Sequence, residues 1–399
     1  MQKFLLYQLW IDKRNMTILH LTHTDINSDS RILKEMQSVA NRFGQYKVCG
    51  IGVIIEEEEH KSKYQDNLDI QSITLITRKW NFLPKIIRHL CSLIELTLKM
   101  LLKSFKLKPT IIHCHDTLVL PLGILLKTFT TSKLIYDAHE LESNRNGLTL
   151  ILSKMTLLVE KILWQYIDRL IVVSPSILNW YQKNIGSKAS EIILNSPVLS
   201  DDLIEYNKRY LRKKFLIPDN SKIFLYIGIL GDGRGIDLLL ETFKTNNLSA
   251  HIVFLGYGAK QQQIADLSKQ FSNIHLHNAV PHSEVVAIAK SADIGVCLIE
   301  NVSLSDYYCL PNKLFEYAFA EIPVLASNFP DISATVKKYK LGKCSDLDTE
   351  SIYQAIKEFE LMAENLIVNS LDLIDLSWSA QEKKLIRLYE DLIDMKLDR

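Results

Sequence analysis

Short apolar runs rich in β-branched residues alternate along this chain with longer stretches of helical spacing. In the first half, Thr17–Leu21, Lys47–Ile54, Ser72–Ile76, Thr110–His113, Lys133–Tyr136, Arg169–Val173 and Glu191–Leu194 read as strands. Helical periodicity fills most of the gaps, for example over Ser30–Phe43 and Leu83–Lys106. This alternation predicts a mostly parallel sheet covered on both faces. Asn195–Pro197 closes the last of these strands, a polar segment follows, and Ile217–Asn220 opens a second block. Strands are then predicted at Lys222–Gly228, Ala250–Leu255, Ile274–His277, Ile294–Leu298 and Pro323–Ala326, with a final helix over Ala380–Met395. The expected architecture is α/β, with two Rossmann-like domains facing each other across a cleft and ligands at the carboxyl ends of the strands. The expected boundaries are an extension at 1–15, domains at 16–197 and 198–375, and a terminal helix at 376–399.

Composition narrows the class. The 399 residues suffice for two cores, and 23% charged against 47% hydrophobic residues describes a globular chain. A net charge of +1 gives no global field for a nucleic acid. The six cysteines are scattered without a C-x-x-C pair, as expected of reduced thiols in a cytosolic protein. His113 and His115 flank Cys114 and share one face of a strand, but no further ligand is apparent nearby, so no metal site is expected. No uncharged apolar stretch is long enough for a transmembrane helix. The first fifteen residues do not resemble a secretory signal and are expected to be a short tail before the Met16 strand, or an upstream start that adds nothing to the fold.

Several segments carry candidate chemistry. Glycine is scarce, 14 in 399 residues, yet Gly228, Gly231, Gly233 and Gly235 crowd one strand-to-helix loop around Arg234. Loop glycines let amides approach an anion, a helix N-terminus favours negative charge, and an arginine fork suits phosphate. The alternative is a tight turn with a solvated arginine. Gly256 and Gly258 repeat the arrangement at the next strand end, where a base or ribose could lie, or where the chain simply turns. In "LPNKLFEYAFAEIPVLAS" Asn312 is the expected N-cap, followed by Lys313, with Glu316 one turn later. A lysine in the first turn opposes the helix dipole unless an anion is bound there. A carboxylate at Glu316 can accept both hydroxyls of a ribose, or can pair with Lys313 on the surface. Leu314, Phe315, Ala318 and Phe319 form the expected buried side. "YDAHEL" places Asp137, His139 and Glu140 at a strand end, as titratable site residues or as a capped helix start. In "THTDINSDSRILKEM" Asp29 or Ser30 caps a helix, and Asp25 and Arg31 could reach the cleft. Arg78–Lys108 holds eight Lys/Arg and one acid, Glu95. It reads as a basic amphipathic helix for an anionic membrane surface or as a sheet-covering helix with a solvated basic face.

Taken in order, "DSRILKE", "IIHCHDTLVLPLG", "YDAHEL", "YIG…GRGIDLLL" and "PNKLFEY…IPVLAS" resemble glycosyltransferase family 4, and in particular its branch in bacterial surface-polysaccharide synthesis. The resemblance runs from Met16 to about Tyr389. It implies the GT-B fold, with the terminal helix crossing back to the first domain. It also implies sugar transfer from a nucleotide-sugar to a lipid-linked or oligosaccharide acceptor, with retention and without a metal or other cofactor. The enzyme would work in the cytoplasm or at the inner membrane face, with no nucleic acid as partner. By the same resemblance Arg234 and Lys313 would meet the donor diphosphate, Glu316 the ribose, and His139 the transferred sugar. Gly228, Gly233, Gly235, Gly256, Gly258 and Asn312 would line the donor site. Two positions depart from the family. Tyr308 stands where the first glutamate of the E-x7-E motif is expected, with Asp306 as a candidate substitute, and Ile229 replaces a second arginine. A nucleotide-sugar 2-epimerase of the same fold and a non-catalytic nucleotide-sugar-binding subunit are the alternatives.

Overall fold

A computed structural model describes residues 16–54, 65–198, 207–244, 248–362, 368 and 370–397. The expected extension at 1–15 and residues 199–206 of the polar segment lie outside the described residues. The chain forms two compact units, the first up to Ile193 and again from Glu382, the second from Leu194 to Gln381.

Unit 1 is a parallel sheet wrapped by helices. Its elements are β1 (Thr17–Asp25), α1 (Ser30–Arg42), β2 (Lys47–Val53), β3 (Leu68–Ile73), α2 (Lys85–Leu107) and β4 (Ile111–His115), then α3 (Leu120–Thr130), β5 (Lys133–Ala138), α4 (Leu150–Leu163), β6 (Arg169–Val172), α5 (Pro175–Asn184) and β7 (Ser190–Ile192). The strand order β3-β2-β1-β4-β5-β6-β7 reverses direction between β1 and β4. The register of that central region pairs His20 with His113 and His115 with Asp137. Parallel partners at one register point to the same face, so all four side chains gather there.

Three local expectations change. β3 lies earlier than Ser72–Ile76, because the Glu95 carboxylate takes the Ile76 and Thr77 amides, at 3.0 and 2.9 Å, that a strand would have used. The segment Arg78–Lys108 is not one helix; α2 begins after Pro84, which cannot continue a helix backwards. Its outer face is largely apolar rather than basic, with Leu90, Leu98 and Leu102 exposed.

Unit 2 repeats the plan with α6 (Tyr210–Phe215), β8 (Ile223–Ile227), α7 (Ile236–Phe243), β9 (His251–Leu255), α8 (Gln261–Ser268), β10 (Ile274–His277) and α9 (His282–Ala289). It continues through β11 (Ile294–Cys297), α10 (Leu304–Tyr307), α11 (Asn312–Phe319), β12 (Val324–Ser327), α12 (Pro330–Lys338), β13 (Gly342–Ser345) and α13 (Thr349–Leu361). The sheet runs β10-β9-β8-β11-β12-β13, all parallel, again reversing beside its first strand. Phe224, Phe243, Phe254, Ile294 and Phe359 are among the buried side chains that fill the core between this sheet and its helices. Helix α14 (Trp378–Leu397) carries the chain from unit 2 into unit 1. No helix among the described residues is long and apolar enough to cross a membrane.

Candidate functional site

In unit 2 the glycine loop follows β8. Gly228 (φ 123°), Gly233 (φ 74°) and Gly235 (φ 68°) adopt backbone angles that L side chains rarely accept. Gly235 precedes α7, and its amide donates to the Glu300 carboxylate at 2.9 Å, while the Glu300 amide returns to the Gly233 carbonyl at 3.0 Å. Glu300 therefore clamps the loop, a role the sequence reading missed. Gly256 and Gly258 also meet a packing demand within unit 2. A Cβ on Gly256 would stand 1.9 Å from the Gly228 carbonyl oxygen, and one on Gly258 would stand 2.5 Å from the Leu230 carbonyl oxygen. The neighbouring backbone leaves no room for a side chain at either position.

The puzzle of Lys313 has a local answer. Its Nζ lies 3.9 Å from the centre of the Tyr226 ring and close to Gly228 at the end of β8. The ring face attracts the ammonium and offsets the unfavourable helix dipole, by about 0.5–2 kcal/mol. Pro311, not Asn312, occupies the cap, without a side-chain hydrogen bond; Asn312 is the first helical residue. Pro311 leaves the cap without a side-chain acceptor, so the amides of this helix start gain no partner from it.

Glu316 is buried and does not form the surface pair with Lys313; its Oε1 lies 3.2 Å from His282 Nε2 at the start of α9. Tyr317, omitted from the expected buried side, is fully buried. Its hydroxyl accepts from the Ile227 amide at 2.9 Å and donates to the Leu225 carbonyl at 2.8 Å. Gly295 leaves room for that ring, since a Cβ there would meet it at 2.2 Å. Arg234, with 38% of its side chain exposed, lies 3.8 Å from Asp306. Ser303 caps α10 and donates to Asp306 at 2.6 Å, so Asp306 is tied into its own turn. Tyr308 follows that turn and lies beside the Tyr307 ring.

Unit 1 holds a polar core that the sequence reading did not assemble. Arg31, on the inner face of α1, is buried rather than directed to a cleft. It clasps both oxygens of Asp137 at 3.1 Å, donates to the Ile193 carbonyl at 3.1 Å, and lies 3.1 Å from Glu35. His20 Nδ1 meets His115 Nε2 at 3.0 Å, and His115 Nδ1 meets His139 Nε2 at 3.1 Å. From α14, the Tyr389 hydroxyl reaches His113 Nδ1 at 2.7 Å and His20 Nε2 at 3.2 Å. Asp29 caps α1 as one of the two expected candidates; Asp25 accepts from the Asn27 amide in the turn before it. Glu140 is exposed.

The electrostatics separate these groups. Burial pushes His113 down to about 3 and also lowers His20 and His115. Burial opposes a charge on His139 too, but Asp116 and Asp137, at 3.7 and 3.2 Å, outweigh it and push the imidazole up to about 10. Burial likewise opposes ionisation of Asp137, and Arg31 and His139 overcome it, holding its carboxyl well below the usual range. Burial raises Glu35 to about 8. Arg31 and His139 thus balance Asp116 and Asp137. Asp116 takes up φ 69°, a strained angle for a non-glycine residue, and its amide bonds the Asp137 carbonyl at 2.9 Å.

This convergence corrects the expectation that His113 and His115 have no ligand-type neighbours. Ligand atoms of His20, His113 and His115, and of Glu35, His113, His115 and Asp137, lie within 4.8 Å of one another. The set is nonetheless built around cations of its own. Arg31 contacts both carboxylates, and His20 and His115 are at hydrogen-bond distance, so a dication would face a fixed positive charge.

Comparisons with known proteins agree with this architecture. The sequence pattern of the family described as "Glycosyl transferases group 1" matches residues 207–366. An O-antigen biosynthesis glycosyltransferase, WclY of Escherichia coli, is 25% identical over 175 residues, 42% of this chain and 45% of that protein. The chain thus spans less than half the length of the curated relatives it matches. The fold is similar to sucrose-phosphate synthase from Thermosynechococcus elongatus, with TM-score 0.75 and 16% identity over 95% of this chain and all of that one. It is also similar to Anabaena Alr3699/HepE in complex with UDP-glucose, with TM-score 0.67 and 10% identity over 94% of this chain and 100% of that one.

Proposed function

We propose that the chain is a group 1 glycosyl transferase, the family whose pattern residues 207–366 match, and that within its GT-B fold it moves a sugar from a nucleotide-sugar to an acceptor hydroxyl. The observation that supports this most directly is Lys313, poised over Tyr226 beside Gly228, with buried Glu316 one turn behind it. Departure of a nucleoside diphosphate builds negative charge on the β-phosphate. Arg234, Lys313 and the amides at the starts of α7 and α11 are the groups that would stabilise that charge without a metal ion. Glu316 would accept the ribose hydroxyls, its carboxylate kept in place by His282. His139 would hold the transferred sugar as a cationic hydrogen-bond donor, oriented by Asp116 and Asp137. Transfer would proceed with retention, on the same face as the leaving diphosphate. A lipid-linked or oligosaccharide acceptor in surface-polysaccharide synthesis, at the cytoplasmic face of the membrane, completes the reading; the O-antigen relative supports it.

The test is a thermal-shift screen of nucleotide-sugars, beginning with UDP-glucose because it is the donor bound by the Anabaena protein. A ligand at a hundredfold excess over its Kd stabilises by about 2.7 kcal/mol, a rise of roughly 5–10 °C for a unit of this size. Glu316→Gln and Arg234→Met are expected to remove most of that rise and to raise the donor KM. If no nucleotide-sugar shifts the protein, or if both variants respond like wild type, the donor site is misassigned.

A further inference from the structure

Helices α2, α3 and α4 lie side by side on unit 1, α2 against α3 and α3 against α4. Helices α2 and α4 direct much of their apolar surface away from the sheet, while α3 buries most of its own and adds Leu125 and Phe129 to the exposed face. The inner stripe of α2 is Ser92, Leu96, Met100 and Ser104, half of it polar. Its outer stripe is Leu90, Ile94, Leu98 and Leu102, at four-residue spacing and between 52% and 68% exposed. That is the reverse of a helix covering a sheet in water. On α4 the fully buried residue is Glu160, while Ile151, Met155, Leu158 and Ile162 are exposed. Phe129 of α3, 67% exposed, bridges the gap by packing on Phe105 of α2 with ring centres 5.6 Å apart. In all, fifteen large apolar side chains of these helices are exposed. Ordinary monomer surfaces scatter such residues singly.

The charges on the same helices are mostly positive, although Lys99 pairs with Glu95 at 2.6 Å, Lys127 pairs with Asp168, and Lys103 donates to the Ser72 carbonyl at 3.3 Å. Eight Lys/Arg are present against two acids. Both acids are engaged inward: Glu95 holds the Ile76 and Thr77 amides, and Glu160 accepts from the Tyr136 and Tyr181 hydroxyls at 2.7 and 2.6 Å. Lysines beside a broad apolar face are characteristic of helices lying in a lipid interface, whereas lysine is depleted at protein–protein interfaces.

We propose that this three-helix face of unit 1 docks on an anionic lipid bilayer. The leucines, isoleucines and phenylalanines enter the boundary between headgroups and acyl chains. The lysine stems lie along the apolar surface and keep their ammonium groups at phosphate level. The docking gives the proposed lipid-linked acceptor a reason to be met at a membrane, and it rests on that reading only for its purpose.

Vesicle sedimentation of the full chain tests it. Binding to phosphatidylcholine vesicles containing phosphatidylglycerol is expected to exceed binding to phosphatidylcholine alone, and to weaken without vanishing in high salt. Leu98→Glu and Leu158→Glu are each expected to lower the partition coefficient roughly tenfold. Lys154→Glu and Lys161→Glu are each expected to lower it roughly fivefold on the anionic vesicles alone. All four variants should keep the nucleotide-sugar thermal shift, which establishes folding and separates failure of docking from failure of the donor site. Equal sedimentation of wild type and the leucine variants overturns the proposal. So does binding that depends only on residues 1–15, or a stable dimer that Leu98→Glu and Leu158→Glu dissociate, since another occupant would then cover the face.

Discussion

Asp137→Asn keeps the shape of the side chain and deletes one fully buried charge. Arg31 would lose its bidentate partner, both contacts being 3.1 Å, and would keep the Ile193 carbonyl at 3.1 Å. Removing one member of a buried ion pair costs about 3–5 kcal/mol, because the other charge stays desolvated. Here a reserve exists. Glu35 also lies 3.1 Å from Arg31, but burial, with Asp137 adding to it, raises its carboxyl to about 8. With Asp137 neutral, Glu35 can ionise and take over the guanidinium. The sign follows from proton binding. In wild type the folded state keeps the Glu35 proton above the ordinary value of 4.5, so this group's contribution falls as pH rises from about 4.5 to about 8. In the variant that decline largely disappears. The penalty should therefore be about 3–5 kcal/mol near pH 5 and clearly smaller near pH 8. Urea unfolding followed by tryptophan fluorescence measures it, because Trp80, Trp164 and Trp180 all lie in unit 1. Adding Glu35→Gln removes the reserve and should restore the full penalty at both pH values. A penalty below about 1 kcal/mol at pH 5, or the same penalty at pH 5 and pH 8, refutes this account of the cluster.

Other outcomes follow from single contacts. Gly256→Ala drives a methyl group into the Gly228 carbonyl and should destabilise unit 2 by roughly 3 kcal/mol or more, visible as a lowered urea midpoint. Tyr317→Phe leaves the Ile227 amide and Leu225 carbonyl without their partner, at about 1–3 kcal/mol in the same assay. His139, raised from 6.5 to about 10, contributes fully below pH 6.5 and loses its contribution as pH climbs through 10. Transfer that depends on its charge should stay flat through neutrality and fall only near pH 10. A loss of kcat/KM near pH 6–7 that disappears in His139→Asn would count against a cationic His139.

Most of the architecture was legible because strands and helices write their periodicity into neighbouring residues. "YIGILGDGRGIDLLLETF" shows β8, its loop and α7 within eighteen residues. β13 was missed: Gly342–Ser345 is short, polar and at the sheet edge, and carries no apolar run to announce it. Glu300 and His282 were missed for a different reason. Each acts on a residue from another element, Glu300 on Gly235 and His282 on Glu316, and nothing in its own surroundings marks it.

The sequence by itself determined the elements, their alternation and the positions of the glycine loop and of Lys313 and Glu316 at helix starts. Those properties depend on spacing over a few residues. Tertiary structure alone decided what each polar group faces. His20 and His113 meet because β1 and β4 are neighbours at the point where strand order reverses. Arg31 is a core residue because Asp137 arrives beneath it from a strand over a hundred residues away. The outward apolar face of α2 appears only when the sheet has selected which stripe of the helix to bury. Local propensity specifies the shape of a segment; register and packing across distant segments fix the surroundings, and hence the charge, of its side chains.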